Sequence, residues 1–463
     1  MSQILELLTN AVGIDIVISG TDMDRATSYW DTTPAQAIAL ARPRTTEQVS
    51  QILAICNQHG HPVITQGGLT NCVHSAEAQK EEVILSLERM NEIESIDITG
   101  GTATVGAGVI LQTLQEACLE QDMLFPLDLG ARGSCTVGGN VATNAGGINV
   151  LRYGMARQLV LGLEAVMADG TVLSSMNQML KNNSAYDLKQ LFIGTEGTLG
   201  VITRINVRIF PKPTTTNAAM VALQDFESVT KLLNRAQRDL AGNLSAFEVM
   251  WGDHYRAVTV EGANRSPMSR DYKYYIMMEA EGGDTANDEA GFMSLLESCF
   301  EEEIIIDAVI PKSESERVEL WDIRENFEAI LEPKPIFLYD VSLPIVEMDN
   351  YINAVEQQLK DKWDDCEFYV LGHIADGNLH FFIRPNDKAD KTAEQLHIDS
   401  DEIVYGQLQR VNGAVSAEHG IGMEKRAWLK YSRSEEEIKL MKLLKRTLDA
   451  NNILNRGRVL GDV

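Results

Sequence analysis

The chain has 463 residues, more than one hydrophobic core usually supports, so we expect two or three packed units. A hydrophobic fraction of 44% and a charged fraction of 23% are those of an ordinary globular protein. The formal net charge of -27 repels phosphate backbones, and no lysine and arginine cluster reverses it locally. These features argue against nucleic acid as a partner.

Targeting and redox signals are weak in this chain. The N-terminal sequence MSQILELLTNAVGIDIVISG lacks a basic start and carries acidic residues within its apolar part, unlike a secretion signal. No uncharged apolar run approaches the roughly 18 residues of a membrane-spanning helix. The six cysteines lack CxxC spacing, which argues against a thiolate zinc site and a disulfide framework. We expect a soluble, cytoplasmic protein and leave peripheral contact with a membrane open.

Helices and strands alternate in the first half of the chain. Residues 1–34 predict an amphipathic helix and a connector. A capping box at Thr45 and Gln48 opens the next helix, and Gly60 ends it. A strand then runs into the turn QGGLTN at residues 66–71, a position that ligand-binding loops often occupy.

The second half is separated from the first by a breaker-rich linker. The sequence Pro-Lys-Pro at 211–213, followed by threonines, is the best candidate for a domain boundary. Beyond it, strands at 272–279 and 335–344 alternate with helices that carry acidic faces, which predicts an α+β unit. A capping box at Ser434 and Glu437 opens the last helix.

Special backbone geometry concentrates in the stretch PLDLGARGSCTVGGNVATNAGG, from Pro126 to Gly147. Twelve of the 35 glycines lie between Gly130 and Gly200. Residues with little Cβ bulk permit positive φ and let a backbone lie directly against a ligand. We therefore predict a diphosphate cradle, with tight turns that hold no ligand as the alternative.

A Rossmann site is a second explanation for the glycines. Gly106-Ala107-Gly108 follows a strand and precedes a helix, but Leu111 stands in place of the third glycine. No acidic residue follows at the confirming distance. Loops that wrap a dinucleotide through backbone amides explain the glycines better.

Two histidines lie in a predicted β-hairpin, GHIADGNLHFFIRP. Turn-type residues at 375–378 separate two apolar runs, so a four-residue loop pairs Ile374 with Leu379 and places His373 opposite His380. Cross-strand Cβ atoms lie about 4.5–5.5 Å apart, close enough for two imidazoles to share a metal ion. A structural histidine pair is the alternative.

The sequence SAEHGIG contributes Glu418 and His419, so that it and the hairpin hold three of the eight histidines. A His2Glu set with an open position suits a catalytic divalent ion, with zinc favoured by ligand type. Manganese, cobalt and iron accept the same ligands. Neighbouring residues of an extended chain point to opposite sides, so one of the two binds metal and the other transfers a proton. In the structural alternative, Glu418 is only a hydrogen-bonding neighbour of the histidines.

Arg324, in LWDIREN, is a candidate anchor for a substrate carboxylate, because its planar fork suits bidentate binding. A solvated helix arginine is the alternative for this residue.

These motifs resemble those of one family. QGGLTN, the stretch 126–147, YDLKQLFIGTEGTLGVIT, GHIADGNLH and SAEHGIG, in this order, resemble the FAD-linked D-2-hydroxyacid dehydrogenases of the vanillyl-alcohol-oxidase type. That family includes D-2-hydroxyglutarate dehydrogenase, FAD-dependent D-lactate dehydrogenase and the FAD subunit of glycolate oxidase. The resemblance implies an α+β fold with four parts: an N-terminal helical segment at 1–34, a two-lobed FAD-binding domain at 35–213, a substrate-binding α+β cap with an antiparallel sheet and the metal site at 214–415, and a C-terminal segment at 416–463 that packs back on the FAD domain.

The resemblance also implies where FAD binds. Because the first glycine loop reads Gly-Leu-Thr-Asn-Cys, without the histidine of covalent superfamily members, we expect non-covalent FAD; nearby His74 is the residue that could alter this. Asn140 and Asn144 are expected near the flavin. Asn455 is expected to keep a flavin contact, although Arg456-Gly457-Arg458 replaces the usual Pro-Gly-Lys. The matching cofactor positions are Gly67, Gly68, Thr70, Asn71, Pro126, Gly130, Ser134, Gly138, Gly139, Asn140, Thr143, Asn144, Gly147, Gly194, Glu196, Gly197, Ile202 and Asn455.

The family pattern gives His373, His380 and Glu418 as metal ligands and His419 as general base. The implied reaction begins with the substrate held by the metal and Arg324; His419 then takes the 2-hydroxyl proton and the C2 hydride passes to the flavin, giving a 2-oxo acid. Electrons leave to a separate acceptor, which in relatives is an electron-transfer flavoprotein, a quinone or a cytochrome. A homodimer is left open.

Three positions depart from hydroxyglutarate-specific relatives. Where those relatives have threonine, lysine and asparagine, this chain has Glu328, Leu338 and Phe382. A second substrate carboxylate would meet a glutamate and two apolar side chains, which is unfavourable for a desolvated charge. We predict a D-2-hydroxy acid with an uncharged side chain, lactate being the smallest candidate, and keep D-2-hydroxyglutarate as the alternative. Outside the family, the alternatives are a metallohydrolase that uses the His2Glu site and a non-catalytic flavin- or metal-binding sensor.

Overall fold

The computed structural model describes residues 3–260, 263–386 and 391–461. Contacts divide the chain into two units. Unit 1 comprises the chain up to Gly147, Gly154–Lys212 and the chain from Glu418 onward, and unit 2 comprises Ile148–Tyr153 and Pro213–Ala417. The chain therefore passes from unit 2 to unit 1 between Ala417 and Glu418, immediately before the predicted general base.

The elements follow one another in chain order. Up to residue 211 they are α1 Gln3–Val12, β1 Val17–Ser19, β2 Ala39–Ala41, α2 Thr46–His59, β3 Val63–Gln66, β4 Val83–Ser86, β5 Ile93–Asp97, β6 Thr102–Gly106, α3 Leu111–Leu119, β7 Met123–Leu124, α4 Val137–Thr143, α5 Val150–Tyr153, α6 Ala156–Leu159, β8 Val160–Val166, β9 Val172–Ser175, β10 Val201–Arg208 and β11 Phe210–Pro211. Those that follow are β12 Thr215–Leu223, α7 Phe226–Asp239, β13 Leu244–Trp251, α8 Gly252–Val258, β14 Tyr274–Gly282, α9 Thr285–Glu301, β15 Asp307–Val309, α10 Glu314–Glu325, α11 Glu328–Leu331, β16 Phe337–Ser342, α12 Met348–Lys362, β17 Glu367–Gly372, β18 Asn378–Arg384, α13 Ala393–Arg410 and α14 Glu435–Leu448.

Unit 1 contains a four-stranded sheet and a five-stranded sheet, the two lobes that the sequence predicts. The four-stranded sheet has the order β1-β2-β4-β3, with β1 antiparallel to β2 and the other pairs parallel. The five-stranded sheet, β5-β6-β10-β8-β9, is antiparallel throughout. The strand β1 lies within the predicted N-terminal helical segment 1–34 and pairs with β2, so this part of the segment belongs to the first sheet of unit 1.

The helix α2 shows how local sequence sets these elements. Thr45 accepts a hydrogen bond from the Gln48 amide at 3.3 Å, but the Gln48 side chain accepts from the Arg44 amide instead of completing the predicted capping box. Gly60, at φ 68°, ends the helix in the left-handed conformation. One apolar face of the helix is buried, with Val49, Ile52, Leu53 and Cys56 fully inaccessible.

The Rossmann alternative is wrong for this chain. The strand β6 is antiparallel to both its neighbours, whereas a Rossmann βαβ unit needs parallel strands. Its glycines have a packing role, because a Cβ on Gly106 would lie 2.2 Å from the Met90 carbonyl oxygen and one on Gly108 2.0 Å from that of Leu87.

Unit 2 is built on a seven-stranded antiparallel sheet with the order β15-β12-β14-β13-β17-β18-β16. A buried apolar cluster of this unit includes Met220, Met250, Tyr275, Met277 and Phe382. The antiparallel sheet agrees with the predicted α+β cap, and the strands β13, β17, β18 and β16 lie next to one another in it. No described helix combines the length and the apolar character needed to cross a membrane.

Candidate active site

Two glycine loops of unit 1 lie against each other through their backbones. The turn after β3 approaches residues 134–136 so closely that a Cβ on Gly68 would lie 2.0 Å from the Ser134 carbonyl oxygen, and one on Gly67 2.4 Å from the Thr136 hydroxyl. Among the described residues, none accepts a hydrogen bond from the amides of Gly67, Gly68 or Thr70. A run of amides without protein acceptors is suited to an anionic ligand such as a diphosphate.

The stretch 126–147 forms the second of these loops and the helix α4. Thr136 caps α4 by accepting from the Gly139 amide, and a Cβ on Gly138 would lie 2.5 Å from that of Ala107 at the end of β6. Gly130 is exposed, and a Cβ placed there would meet no protein atom within 4 Å. The loop therefore has a side that packs on the protein and an open side at Gly130.

Polar side chains predicted near the flavin also hold the loop in shape. Asn144 ends α4 in the left-handed conformation, and its side-chain oxygen accepts from the Arg157 amide at 2.9 Å. Asn140 is buried and donates to Cys135 Sγ, and the Thr143 hydroxyl donates to the Gly139 carbonyl. These side chains therefore stabilise the conformation of the cradle. Two further predicted positions are buried, Pro126 after β7 and Ile202 in β10.

Asn455 ties two parts of unit 1 together. Its side chain donates to the Glu196 carbonyl at 2.6 Å and accepts from the Thr65 amide at 3.0 Å, while Gly197, at φ 72°, lies against it. These bonds connect the end of β3 with the loop 194–197. Arg458, which stands where relatives have lysine, is buried in an ion pair with Glu82.

Glu196, one of the predicted cofactor positions, uses its carboxylate within the protein. It is buried and accepts from the amides of Ile421 at 2.7 Å and Gly422 at 2.9 Å. Burial raises the pKa of this carboxyl, although the two amides and the charge of Lys425 oppose the rise. Its side chain anchors the loop that carries His419.

The predicted register of the histidine hairpin is wrong by two residues. His380 pairs with Leu371 and not with His373, and the turn at 374–377 is closed by a bond from the Asn378 amide to the His373 carbonyl. Gly377, at φ 86°, makes this turn accessible. A shift of two keeps each side chain on its face of the sheet, so the imidazoles still meet, with ring centroids 5.3 Å apart.

Each histidine faces a buried carboxylate on the strand beside it. Glu248 of β13 accepts from His373 Nδ1 at 2.7 Å, and Asp340 of β16, the direct partner of His380 in the ladder, lies 3.6 Å from His380 Nδ1. The sheet therefore presents two neighbouring pairs: Glu248 beside His373 at the end of β17, and His380 beside Asp340. A carboxylate at Nδ1 orients an imidazole so that Nε2 can bind a metal ion.

Arg324 is part of the same network. It is 5% exposed; its Nε donates to Glu248 Oε2 at 2.9 Å, and its Nη2 lies 2.8 Å from the same oxygen in an ion pair. Burial alone would raise the pKa of Glu248, but the charges of His373 and Arg324 outweigh burial and hold it below the usual value. Glu248 thus occupies one edge of the Arg324 guanidinium. Among the described residues, none accepts a hydrogen bond from Nη1.

Two of the three specificity positions lie together in unit 2. Leu338 of β16 pairs with Phe382 of β18, and Phe382 is buried with its ring centroid 5.6 Å from that of Phe327. Glu328 is exposed at the start of α11, beyond the end of α10, so it does not line a buried wall with the other two. This corrects the expectation that all three would face a second substrate carboxylate.

The structure brings together His373 and His380 within unit 2, whereas Glu418 and His419 belong to unit 1. The Glu418 carboxylate accepts a hydrogen bond from the Gly147 amide at 2.7 Å. This amide belongs to the predicted diphosphate cradle but is bound to the protein here. In unit 2, Asp340 Oδ2 accepts from the Ser416 hydroxyl and the Ala417 amide, at 3.0 and 3.1 Å. Asp340 therefore fixes the two residues that precede Glu418 in the chain.

Sequence reasoning missed Glu248 and Asp340. Each is a single acidic residue inside an apolar strand, in AFEVMW and LYDVSL, and both are almost completely buried. Acidic side chains are rarely buried unless they are paired, so an isolated carboxylate in such a strand is the signal that could have found them.

The fold of the chain is that of the vanillyl-alcohol-oxidase type of flavoprotein. The structure of p-cresol methylhydroxylase with bound substrate matches with a TM-score of 0.76 and 17% identity, covering 99% of this chain and 96% of that one. Alkyldihydroxyacetonephosphate synthase matches with a TM-score of 0.75 and 14% identity, covering 98% and 85%. At these identities the likeness concerns the fold alone.

The sequence matches are more specific. The FAD binding domain family matches residues 37–175, and the FAD linked oxidase C-terminal domain family matches residues 212–459. The D-2-hydroxyglutarate dehydrogenase of Xanthomonas citri pv. viticola is 36% identical over 94% of this chain and 90% of its own length. The mitochondrial D-2-hydroxyglutarate dehydrogenase of Arabidopsis thaliana is 38% identical over 90% and 74%. A mitochondrial Schizosaccharomyces pombe protein, provisionally named a D-lactate dehydrogenase, is 37% identical over 96% and 85%.

The chain therefore belongs to the FAD-linked D-2-hydroxyacid dehydrogenase family, and its cofactor is FAD. Membership makes it an oxidoreductase, which sets aside the metallohydrolase and the non-catalytic sensor.

Proposed function

We propose that this chain oxidises a D-2-hydroxy acid with an uncharged side chain, such as D-lactate, to the 2-oxo acid. The apolar pair Leu338 and Phe382 carries the proposal, because Phe382 packs against Phe327, three residues beyond the carboxylate anchor Arg324. A second substrate carboxylate beside this pair would lose its hydration without gaining a partner.

FAD would be held by the glycine loops of unit 1, and it supplies a two-electron acceptor for the hydride at C2. The amides of Gly67, Gly68 and Thr70 and the open side at Gly130 fit a diphosphate. We expect the binding to be non-covalent, because the 67–72 loop contains no histidine and His74 is paired with Glu77 at 2.7 Å. Electrons then leave to a separate protein, quinone or cytochrome acceptor.

One divalent metal ion, with zinc as first expectation, would be held by His373, His380 and Glu418. The donor set fits, because the bond from His373 Nδ1 to Glu248 at 2.7 Å directs Nε2 away from that carboxylate, and Asp340 lies 3.6 Å from His380 Nδ1. Asp340 also supports the third ligand, Glu418, because it accepts a hydrogen bond from the amide of the preceding residue, Ala417. Such an ion supplies Lewis-acid polarisation of a substrate oxygen.

The protein side chains do the remaining work. Arg324 binds the substrate carboxylate through the edge that contains Nη1, because Glu248 occupies the opposite edge of the guanidinium. His419 accepts the proton of the 2-hydroxyl group as general base. Its loop is fixed by the Glu196 bonds to Ile421 and Gly422, which limits the positions that the imidazole can take.

Flavin reduction across a panel of D- and L-2-hydroxy acids, with and without chelator, tests the proposal. We expect D-lactate or a larger monocarboxylate to bleach the flavin, no bleaching by L-isomers, and loss of bleaching on chelation. His419→Asn should slow bleaching by about 10²- to 10⁴-fold while FAD stays bound, and His59→Asn, an exposed site at the end of α2, is the control.

D-2-hydroxyglutarate is the second candidate substrate, favoured by the names of the Xanthomonas and Arabidopsis relatives. A higher kcat/KM for D-2-hydroxyglutarate than for every monocarboxylate in the panel would reject the first proposal and select the second.

A further inference from the structure

We propose that Glu248 is a positioning residue that couples the substrate-carboxylate anchor Arg324 to the metal ligand His373. The inference rests on the proposed function for the roles of those two partners. Glu248 lies one residue from the ladder pair Val249–Gly372, so the register of β13 and β17 places it beside His373.

The two oxygens of the Glu248 carboxylate have different partners. Oε1 accepts from His373 Nδ1 at 2.7 Å, whereas Oε2 accepts from Arg324 Nε at 2.9 Å and is ion-paired with Nη2 at 2.8 Å. The partners come from different elements, since Arg324 lies on α10 and His373 opens the turn between β17 and β18. One carboxylate therefore sets the distance and orientation between them.

Burial makes this coupling stiff. The Glu248 side chain is 1% exposed, and those of Arg324 and His373 are 5% and 8% exposed. Water has little access to replace either set of bonds, and charge-assisted hydrogen bonds are short and directional at such sites. A displaced carboxylate would therefore move the guanidinium and the imidazole together.

Each bond has a separate chemical consequence. A carboxylate at Nδ1 fixes the tautomer in which Nε2 carries the lone pair for a metal ion. Occupation of the Nε and Nη2 edge of Arg324 leaves the edge containing Nη1 to meet a substrate carboxylate. Glu248 would thus act on metal affinity and on substrate binding without touching either ligand.

The same unit offers a matched pair that is only structural. Glu279 of β14 is also buried and also binds α10, accepting from Arg317 at 2.7 Å and from Trp321 at 3.0 Å. None of its described partners is a histidine. Glu279→Gln therefore removes a buried acidic charge from the same sheet without disturbing His373.

The experiment compares Glu248→Gln, Glu248→Asp and Glu279→Gln with the wild type, all as FAD-loaded full-length chains. Chelator-treated protein is titrated with Zn²⁺ to obtain the metal Kd, and the KM for D-lactate is measured after reloading. We expect Glu248→Gln to weaken Zn²⁺ by roughly 10- to 100-fold and to raise KM by about 10-fold or more. Glu279→Gln should leave both quantities unchanged while lowering Tm.

Glu248→Asp separates positioning from charge. The shorter side chain keeps the negative charge but cannot reach both partners. We therefore expect Glu248→Asp to have a higher Tm than Glu248→Gln, while its Zn²⁺ affinity stays weakened. The inference would be overturned if Glu248→Gln kept the wild-type Kd and KM, or if Glu279→Gln lost as much Zn²⁺ affinity as Glu248→Gln. Wild-type Zn²⁺ affinity in Glu248→Asp would overturn it as well. A wild type without Zn²⁺ affinity would overturn it too. Loss of Zn²⁺ affinity in Glu248→Gln of a chain that oxidises no D-2-hydroxy acid would support it while rejecting the proposed function.

Discussion

The two units build their sites by opposite means. In unit 1, the cradle is shaped by backbone approach, and Cβ atoms at Gly68 and Gly147 would lie 2.0 and 1.9 Å from carbonyl oxygens. In unit 2, buried charged side chains build the site, with Glu248 holding Arg324 and His373. The first site should fail when a Cβ is added at a glycine that touches another backbone, whereas the second should fail when one side chain is removed.

Adding a methyl group at Gly68 is the strongest test of the first half of this contrast. We expect Gly68→Ala to abolish FAD binding, because the Ser134 backbone must move to admit the Cβ. The measurement is the flavin absorbance per protein after purification with excess FAD. Gly283→Ala in unit 2, where a Cβ meets no protein atom within 4 Å, is the control and should remain yellow.

Gly130→Ala refines that test. Its Cβ would also meet no protein atom, so the fold should survive with an unchanged Tm. Weaker FAD binding at an unchanged Tm would indicate that the open side of the loop faces the cofactor. Full FAD affinity would show that Gly130 makes no cofactor contact.

Removing one side chain from unit 2 tests the second half. We expect Arg324→Ala to lower the free energy of unfolding by about 3–5 kcal/mol, because Glu248 is left as a buried carboxylate beside an apolar core. Urea unfolding measures the loss, and flavin content should stay normal. Arg317→Ala is the control, since its pair with Glu279 is more exposed and its removal should cost less. Equal losses in the two variants would contradict the contrast.

The contrast also explains what could be predicted from the sequence. Backbone approach leaves a local record, because glycines at 67–68, 138–139 and 147 are visible as residues, and the cradle was predicted from them. Helix ends at Gly60 and Ser434 left similar records and are confirmed. A side-chain network leaves a weaker record. The lone carboxylate in an apolar strand marks Glu248, but the sequence does not show its partners, because Glu248 lies 76 positions from Arg324 and 125 from His373.

The hairpin lies between these extremes. Turn-type residues indicated a hairpin, but two turns with the same loop length compete, and Gly377 at φ 86° selects the one closed at His373. The register was therefore wrong, yet the histidines were correctly placed on one face, because an even shift preserves the alternation of side chains. The face of the sheet on which a side chain lies depends only on whether the register shift is even or odd, whereas the register itself depends on the turn.

Substrate choice can be tested by reversing one apolar position in unit 2. Leu338→Lys places an ammonium group on β16 at the half-buried site paired with Phe382. We expect the ratio of kcat/KM for D-2-hydroxyglutarate to that for D-lactate to rise by roughly 10- to 100-fold, the effect of one charge-assisted hydrogen bond. Leu338→Met, which keeps an apolar side chain, should leave the ratio unchanged; a rise in both variants would show that charge is not the cause.

The smallest expected effect concerns a histidine that unit 2 buries without using it. His254 of α8 is fully buried, and among the described residues neither of its ring nitrogens has a hydrogen-bond partner. Burial, and to a smaller extent the nearby charge of Arg324, lowers the pKa of His254 to about 3. The folded chain therefore keeps this ring neutral at pH values where the unfolded chain protonates it.

The sign of the pH dependence follows from that difference. Between the ordinary histidine pKa of about 6.5 and the folded value, the unfolded state binds the extra proton, so stability falls as pH decreases. At pH 5 the loss amounts to about 2 kcal/mol. We expect His254→Phe to be about 2 kcal/mol more stable, relative to wild type, at pH 5 than at pH 7, because the replacement keeps a ring and removes the titration. Urea unfolding at both pH values measures this, with His59→Phe as the exposed control. A relative stability that does not change with pH would show that His254 is hydrated in the folded chain, and unit 2 would then tolerate buried polar groups better than the contrast with unit 1 implies.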